Sequence, residues 1–310
     1  MTVLVYVNPE SVTIEVFGVD ESYWIINGPN ADRDVITLAT SPKGIGDAPV
    51  TTIYKSSVYQ RGATYQGKRY LKRDITFGVN IHGRDEEEWE KRDSDWRNAW
   101  DYELDAWDPD ATLTKLQIST DRSTRWLWLA LDKSVEFESE RDPHLLRKSL
   151  VPMAVTAAQP MWEEPTKTTF WETGAGSSEG FIEVSNPTDL EMAQKWLLTR
   201  GKWRVPDVSW TGKKYRRTPG GRYGNRMIEL PMLGDREGGA RISLDPDRLY
   251  VRDLNDTNLI GRLGGLHFMH RIPPRTPPTL LPISVTDAPA GGARAELRQP
   301  RLWSRAWGLR

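Results

Sequence analysis

One stretch of this sequence repeats its apolar residues at the period of a helix, and nearly everything else alternates. Between Asp85 and Trp107, Trp89, Trp96, Trp100, Leu104 and Trp107 stand 7, 4, 4 and 3 residues apart, which places them on one helical stripe. The segment opens with Asp85-Glu86-Glu87-Glu88, acids suited to the positive end of a helix dipole. It closes at Asp108-Pro109, because the residue before a proline avoids the helical region. Roughly 22 residues at about 1.5 Å each predict a rod on the order of 33 Å.

Outside that rod the period is two. Val12, Ile14 and Val16 alternate with Thr13, Glu15 and Phe17, and Asp74–Ile81 puts Ile75, Phe77, Val79 and Ile81 on one face. Further strands are predicted at 1–7, 22–27, 35–40, 49–54, 112–119, 135–138 and 149–158. Thr124–Leu131 is apolar on both faces and reads as a central strand. In the second half, strands are predicted at 181–185, 195–200, 226–230, 240–244, 248–253, 265–271, 279–285 and 293–298, a spacing that fits a β-sandwich. The 25 glycines and 21 prolines supply the turns. The fold class is mainly β, with one long flanking helix.

The 310 residues fit two domains. Residues 163–180 are polar, glycine-rich and proline-bearing, and read as a linker dividing 1–164 from 165–310. Gly174–Gly180 superficially resembles a phosphate loop but lacks its G-K-[ST] ending, and no helical pattern follows. Residues 1–164 carry 19 basic and 28 acidic side chains, residues 165–310 carry 23 and 15. Such asymmetry predicts different neighbours for the two halves. There is no cysteine, hence no disulfide framework and no thiol nucleophile. No apolar run approaches 18 residues, so no transmembrane helix is predicted. Met1–Pro9 lacks a basic region and a small-residue cleavage site and reads as a strand, not a signal peptide.

Candidate chemistry is sparse, and no cofactor or metal is predicted. Asp93 falls within the tryptophan stripe and Glu103 near its edge, and two acids among aromatics are a glycosidase pattern. The stronger reading gives Asp93 an indole N–H or the Arg97 guanidinium four residues on. His267 and His270 would point to opposite faces of a strand, which argues against shared metal ligation. Asp108-Pro109-Asp110 and Asp245-Pro246-Asp247 lack EF-hand spacing and read as turns. Lys213, Lys214, Arg216, Arg217, Arg222 and Arg226 form a basic run without an acid, interleaved with Tyr215 and Tyr223. It reads as a solvated loop or a patch facing an acidic neighbour, ahead of a nucleic-acid surface. Trp303 and Trp307, four apart in the last residues, predict a terminal segment that docks rather than a free tail.

These residues resemble the distal tail protein (Dit-like minor tail protein) of long non-contractile phages, most closely those of actinobacteria. The first half carries Gly62-Ala-Thr-Tyr-Gln-Gly-Lys-Arg69 and Arg73-Asp-Ile-Thr-Phe-Gly-Val-Asn-Ile-His-Gly83, then the tryptophan helix, Arg125-Trp-Leu-Trp128 and Ala157-Ala-Gln-Pro-Met-Trp162. The second carries Val184-Ser-Asn-Pro-Thr-Asp189, Trp203-Arg-Val-Pro-Asp207, Ile272-Pro-Pro274 and Pro300-Arg-Leu-Trp-Ser-Arg-Ala-Trp-Gly308. The basic 213–226 loop departs from that pattern. The resemblance implies a tail-tube-like belt domain over 1–164 and an outward-facing galectin-like β-sandwich over 165–310. It implies a non-enzymatic virion protein at the tail tip, a homohexameric ring joining the tail tube to the hub. The implied partners are the tail tube protein, a hub or tail-associated protein, the tape-measure protein and receptor-binding proteins. DNA would pass through the lumen without specific binding, past acids that repel phosphate.

Trp89, Trp96, Trp100, Trp107, Trp303 and Trp307 are the candidate core or interface residues. The alternative function is a carbohydrate-binding module with Trp171, Trp196, Trp203 and Trp210 as an exposed platform. The third is a glycosidase using Asp93 and Glu103.

Overall fold

The computed structural model describes residues 12–39, 42–135 and 141–309. The strand predicted at 1–7 lies outside these, as does nearly all of that predicted at 135–138. The chain forms two compact units. One comprises residues 1–163 with 304–308, the other 164–303 with 309–310.

In the first unit the strands are β1 (Thr13–Phe17), β2 (Tyr23–Asn27), β3 (Ile36–Leu38), β4 (Val50–Lys55), β5 (Thr64–Tyr70) and β6 (Arg73–His82). Helix α1 (Glu86–Asn98) follows, then β7 (Thr114–Thr120), β8 (Ser123–Leu131), the single turn α2 (Pro143–Leu146), β9 (Lys148–Ala157) and the start of β10 (Trp162–Thr173). Antiparallel pairing gives the order β2-β1-β7-β8-β9-β6-β3. The alternation of β6 is the reason for its register. Arg73, Ile75, Phe77, Val79 and Ile81 all turn inward, and β6 pairs with β9 over its whole length. Strand β8 is central, as its composition suggests, but only one of its faces is buried. Trp126 and Trp128 lie on the other, partly exposed. Hairpin β4–β5 pairs with no other strand. The segment before it runs close against β6 at Gly44, where a Cβ would stand 2.1 Å from the Asp74 carbonyl oxygen.

The helix is shorter than the tryptophan spacing predicts. Asp85 caps it, accepting from the Glu88 N–H at 2.8 Å, and it ends at Asn98. The Ala99 carbonyl accepts from the Val19 N–H at 3.1 Å and the Thr114 hydroxyl at 2.6 Å, so it is not free to carry the helix on. Beyond it, the side chains of Asp101, Asp105 and Asp108 each take a nearby N–H, a local alternative that competes with helix. Trp89, Trp96 and Trp100 are buried as the stripe predicts, but Leu104 and Trp107 are not part of it: Trp107 is 94% exposed. Trp96 packs edge-on to Trp24 and Trp100 with ring centroids 5.7 and 5.5 Å away.

The second unit continues β10 and adds β11 (Gly176–Asn186), β12 (Lys195–Leu198), β13 (Lys202–Pro206), β14 (Trp210–Thr211), β15 (Thr218–Pro219), β16 (Met227–Glu229), β17 (Ala240–Ser243), β18 (Tyr250–Asp253), β19 (Thr276–Ala288) and β20 (Ala293–Trp303). One sheet runs β18-β17-β12-β20-β10 and the other β11-β19-β13-β16. Inward residues of both sheets, among them Ile182, Trp196, Trp203, Ile242, Ile283 and Leu297, share one apolar core. Residues 163–180 are therefore not a linker: they form most of β10 and the start of β11. Their polar side chains alternate along strands whose backbones are paired, which polarity alone does not reveal. The strand predicted at 265–271 is instead irregular. Trp96→Ala should lower the stability of the first unit by about 3–5 kcal/mol, whereas Trp107→Ala should change it by no more than about 0.5 kcal/mol. Urea unfolding of the two variants, followed by tryptophan fluorescence, measures both.

Candidate functional site

The described residues offer surfaces rather than a catalytic centre. Every residue of β4 is exposed, as are Thr64, Tyr65, Gln66, Lys68 and Arg69 of β5. The hairpin displays Val50, Ile53, Tyr54 and Tyr65, and its tip displays Val58 and Tyr59, which are 91% and 98% exposed. A strand of six or seven residues projects roughly 20 Å. A lone two-stranded ribbon is marginally stable in water, and large apolar side chains displayed on one suit an interaction surface.

The acidic surface begins on α1. All four cations of residues 84–108 pair with helix acids: Arg84 and Arg92 with Glu88, Lys91 with Asp95, Arg97 with Asp93. Glu87, Glu90, Asp101, Glu103, Asp105 and Asp108 have no ion pair among the described residues. Hydrogen bonds from the Arg84 side chain, and then from its backbone N–H, hold the Glu88 carboxyl down to about 2. Asp93 lies in an open cavity with Trp89, Glu90, Ser94, Arg97, Pro143 and His144. Its carboxylate accepts from Arg97 Nε at 2.7 Å and the Ser149 hydroxyl at 3.4 Å, and Ser149 in turn accepts from the Trp89 indole at 3.2 Å. Glu103 is not in this cavity and stands exposed. The glycosidase pair is not assembled, and Asp93 is an acceptor tied to the helix.

The terminal segment folds onto the first unit. Buried Arg73 donates to the carbonyls of Pro160 (2.7 Å), Gly44 and Gly46 (both 2.8 Å) and Ser304 (2.9 Å). Buried Arg125 donates to those of Arg305 (2.7 Å) and Gly308 (2.9 Å). Arg305 forks onto Asp47. Burial pushes the Arg73 guanidinium down to about 10, so it keeps its charge at neutral pH. Trp303 is buried at the end of β20, and Trp307 is partly exposed. Both arginines were visible in sequence only as breaks in two apolar alternations.

The basic loop has an anchor that its sequence did not show. Buried Asp207 accepts from Arg226 Nη1 at 2.8 Å and from the N–H groups of Met269 and His270 at 3.0 and 2.9 Å. Arg226 is thus a structural tie at the root of the loop and not part of a free basic face. Arg222 leans on Tyr223. Lys213, Lys214 and Arg216 are exposed, and among the described residues no acid pairs with them or with Arg217. His270 Nδ1 faces the Asp207 carbonyl at 2.8 Å while His267 is exposed, so the two rings do not converge. The tryptophan platform is absent as well. Trp196 and Trp203 are core residues, and Trp171 and Trp210 pack partly buried against that core. Asp108 and Asp245 each accept the N–H two residues on, as turns.

The fold is that of a mostly β protein of two units that displays apolar and acidic surfaces. No protein-family model matches it. The minor tail protein Gp27 of Mycobacterium phage D29 is 30% identical over 342 residues, covering 92% of this chain and 97% of that one. The minor tail protein Gp27 of Mycobacterium phage L5 is 28% identical over the same spans. Among solved structures, the SPP1 Dit (gp 19.1) protein shares the fold with a TM-score of 0.52, at 10% identity, over 94% of this chain and 99% of that one. The chain belongs to the mycobacteriophage Gp27 minor tail protein family, whose members are components of the virion tail and not enzymes.

Two outcomes test this geometry. Arg73→Met should cost about 3 kcal/mol or more, because several buried carbonyls lose their donor. Arg305→Ala breaks an exposed ion pair and should cost at most about 1 kcal/mol. Denaturant midpoints of the two variants decide. A folded-state pKa below the ordinary 4.5 makes the Glu88 contribution complete above that value and lost as pH falls toward about 2. Glu88→Gln should therefore flatten the fall of the thermal midpoint across that window.

Proposed function

We propose that this protein is the ring-forming distal tail protein of its virion, sited at the tail tip between the tail tube and the hub. The first unit is the tail-tube-like belt that closes the ring, as a homohexamer, and the second is the galectin-like sandwich. The SPP1 Dit protein is described as a paradigm of the hub adsorption apparatus in phages infecting Gram-positive hosts, and the shared fold supports the same place for this chain.

The observation that carries the reading is hairpin β4–β5. Its exposed tyrosines and aliphatics have no cover among the described residues, and a neighbouring copy supplies one. A ring needs a head-to-tail contact between two different patches, and an acidic first half with a basic second half provides two such patches of opposite sign. The unpaired acids after α1 suit the neighbourhood of a DNA conduit, where they repel phosphate. The tail tube protein, the hub or tail-associated protein, the tape-measure protein and receptor-binding proteins are the partners this place implies. Light scattering and negative-stain imaging of the purified chain should show rings. Tyr54→Asp with Tyr65→Asp should give folded monomers. A wild-type monomer at every concentration, or rings unaffected by the double substitution, would overturn the reading.

A further inference from the structure

The second unit contains a cavity of about 470 Å³ whose lining includes Glu164, Tyr215, Arg275, Pro277, Arg301 and Trp303. That volume is within the range of small-molecule sites. Arg275 is 8% exposed, and its guanidinium sits between the Tyr215 ring at 5.7 Å and the Trp303 ring at 5.4 Å. The Pro187 carbonyl takes a hydrogen bond from Nη1. A guanidinium has five N–H donors, so most of those on Arg275 have no acceptor among the described residues. Arg301, also nearly buried, reaches the Ser185 hydroxyl.

The backbone at the cavity mouth is held in an uncommon state. Arg275 and Tyr215 have φ of +59° and +65°, a left-handed conformation that non-glycine residues seldom adopt. They are locked together: the Tyr215 N–H donates to the Arg275 carbonyl at 3.0 Å, and the Arg275 N–H to the Thr188 carbonyl at 3.1 Å. Residues kept in such states by their surroundings concentrate at ligand clamps. Tyr215 itself is 62% exposed, so its ring offers a face. The exposed cations Lys213, Lys214 and Arg216 flank it on the same loop, against one acid, Glu164, among the described lining residues.

We propose that this cavity binds an anionic saccharide, a sugar ring carrying a carboxylate or a phosphate. The oxyanion meets the unused Arg275 donors in a charge-assisted contact. The apolar face of the ring lies against Tyr215 and the proline wall, and the flanking cations raise the local concentration of the anion. Trp171, Trp196, Trp203 and Trp210 are not among the residues that line it.

Calorimetry on the full chain tests this with glucuronate, glucose 6-phosphate, glucose, inorganic phosphate and an acidic peptide as probes. One or both charged sugars should bind, and which one binds identifies the anion. Raised salt and Lys213→Glu with Lys214→Glu should each weaken that binding, the charge reversal by roughly tenfold. Tyr215→Asn keeps a residue that tolerates the left-handed backbone and should abolish sugar binding while leaving the thermal midpoint unchanged. The proposal fails if neither charged sugar binds, or if glucose binds as tightly as both. It fails equally if inorganic phosphate matches the sugars, if only the peptide binds, or if a folded Tyr215→Asn variant binds normally.

Discussion

Two buried arginines hold the first unit together. Arg73 and Arg125 occupy inward positions of β6 and β8 that apolar residues would otherwise fill. A charge there is stable only when its donors are satisfied. They are satisfied by main-chain carbonyls from segments far away in sequence: the Gly44–Gly46 loop, Pro160 and the terminal residues Ser304, Arg305 and Gly308. A guanidinium presents several donors in a fixed plane, so each arginine dictates where those strands of backbone must lie. The exit from β9 and residues 304–308 are therefore positioned by two side chains, and the loop before β4 by Arg73 together with the Lys43–Thr76 bridge.

What these arginines organise is unusually uneven in its burial. The core strands turn one face fully inward, while hairpin β4–β5 has neither face covered. The acids follow the same division. Glu88, Asp93 and Asp95 on α1 pair with cations, and Asp101, Glu103, Asp105 and Asp108 have no ion pair among the described residues. Among the described residues the chain thus displays apolar side chains without a packing role and acids without an ion pair. The second unit shows a smaller version of this contrast. Arg226 is spent on Asp207, while Lys213, Lys214 and Arg216 remain uncommitted beside a cavity that holds Arg275.

Much of the fold was legible in the sequence because period two and period 3.6 leave different marks. The strand around Ile75–Ile81 follows from alternation, those around Leu127–Leu131 and Val151–Ala157 from apolar composition, and the helix start from Asp85 and its acids. The helix end did not follow. Trp100, Leu104 and Trp107 keep helical spacing, but Ala99 gives its carbonyl to Val19 and Thr114, and spacing is blind to acceptors on other strands. The polar stretch after Glu163 was likewise misleading, because polarity reports side chains while a strand is made by its main chain. Of the candidate residues, the individual aromatics and cations were easy to find. Their division into buried and displayed sets was not, since Trp196 and Trp203 read no differently from Trp107.

The sequence by itself determined a mainly β chain with one helix, two oppositely charged halves and a resemblance to distal tail proteins. These are properties of local pattern and composition, which neighbouring residues carry among themselves. Only the tertiary structure decided that Arg73 and Arg125 clamp the terminal segment, that Asp207 anchors the basic loop, and that Tyr215 and Arg275 meet at one cavity. Each of those joins groups tens to hundreds of residues apart. The physical reason is common to all three: a buried polar group must find its partner wherever the fold places one.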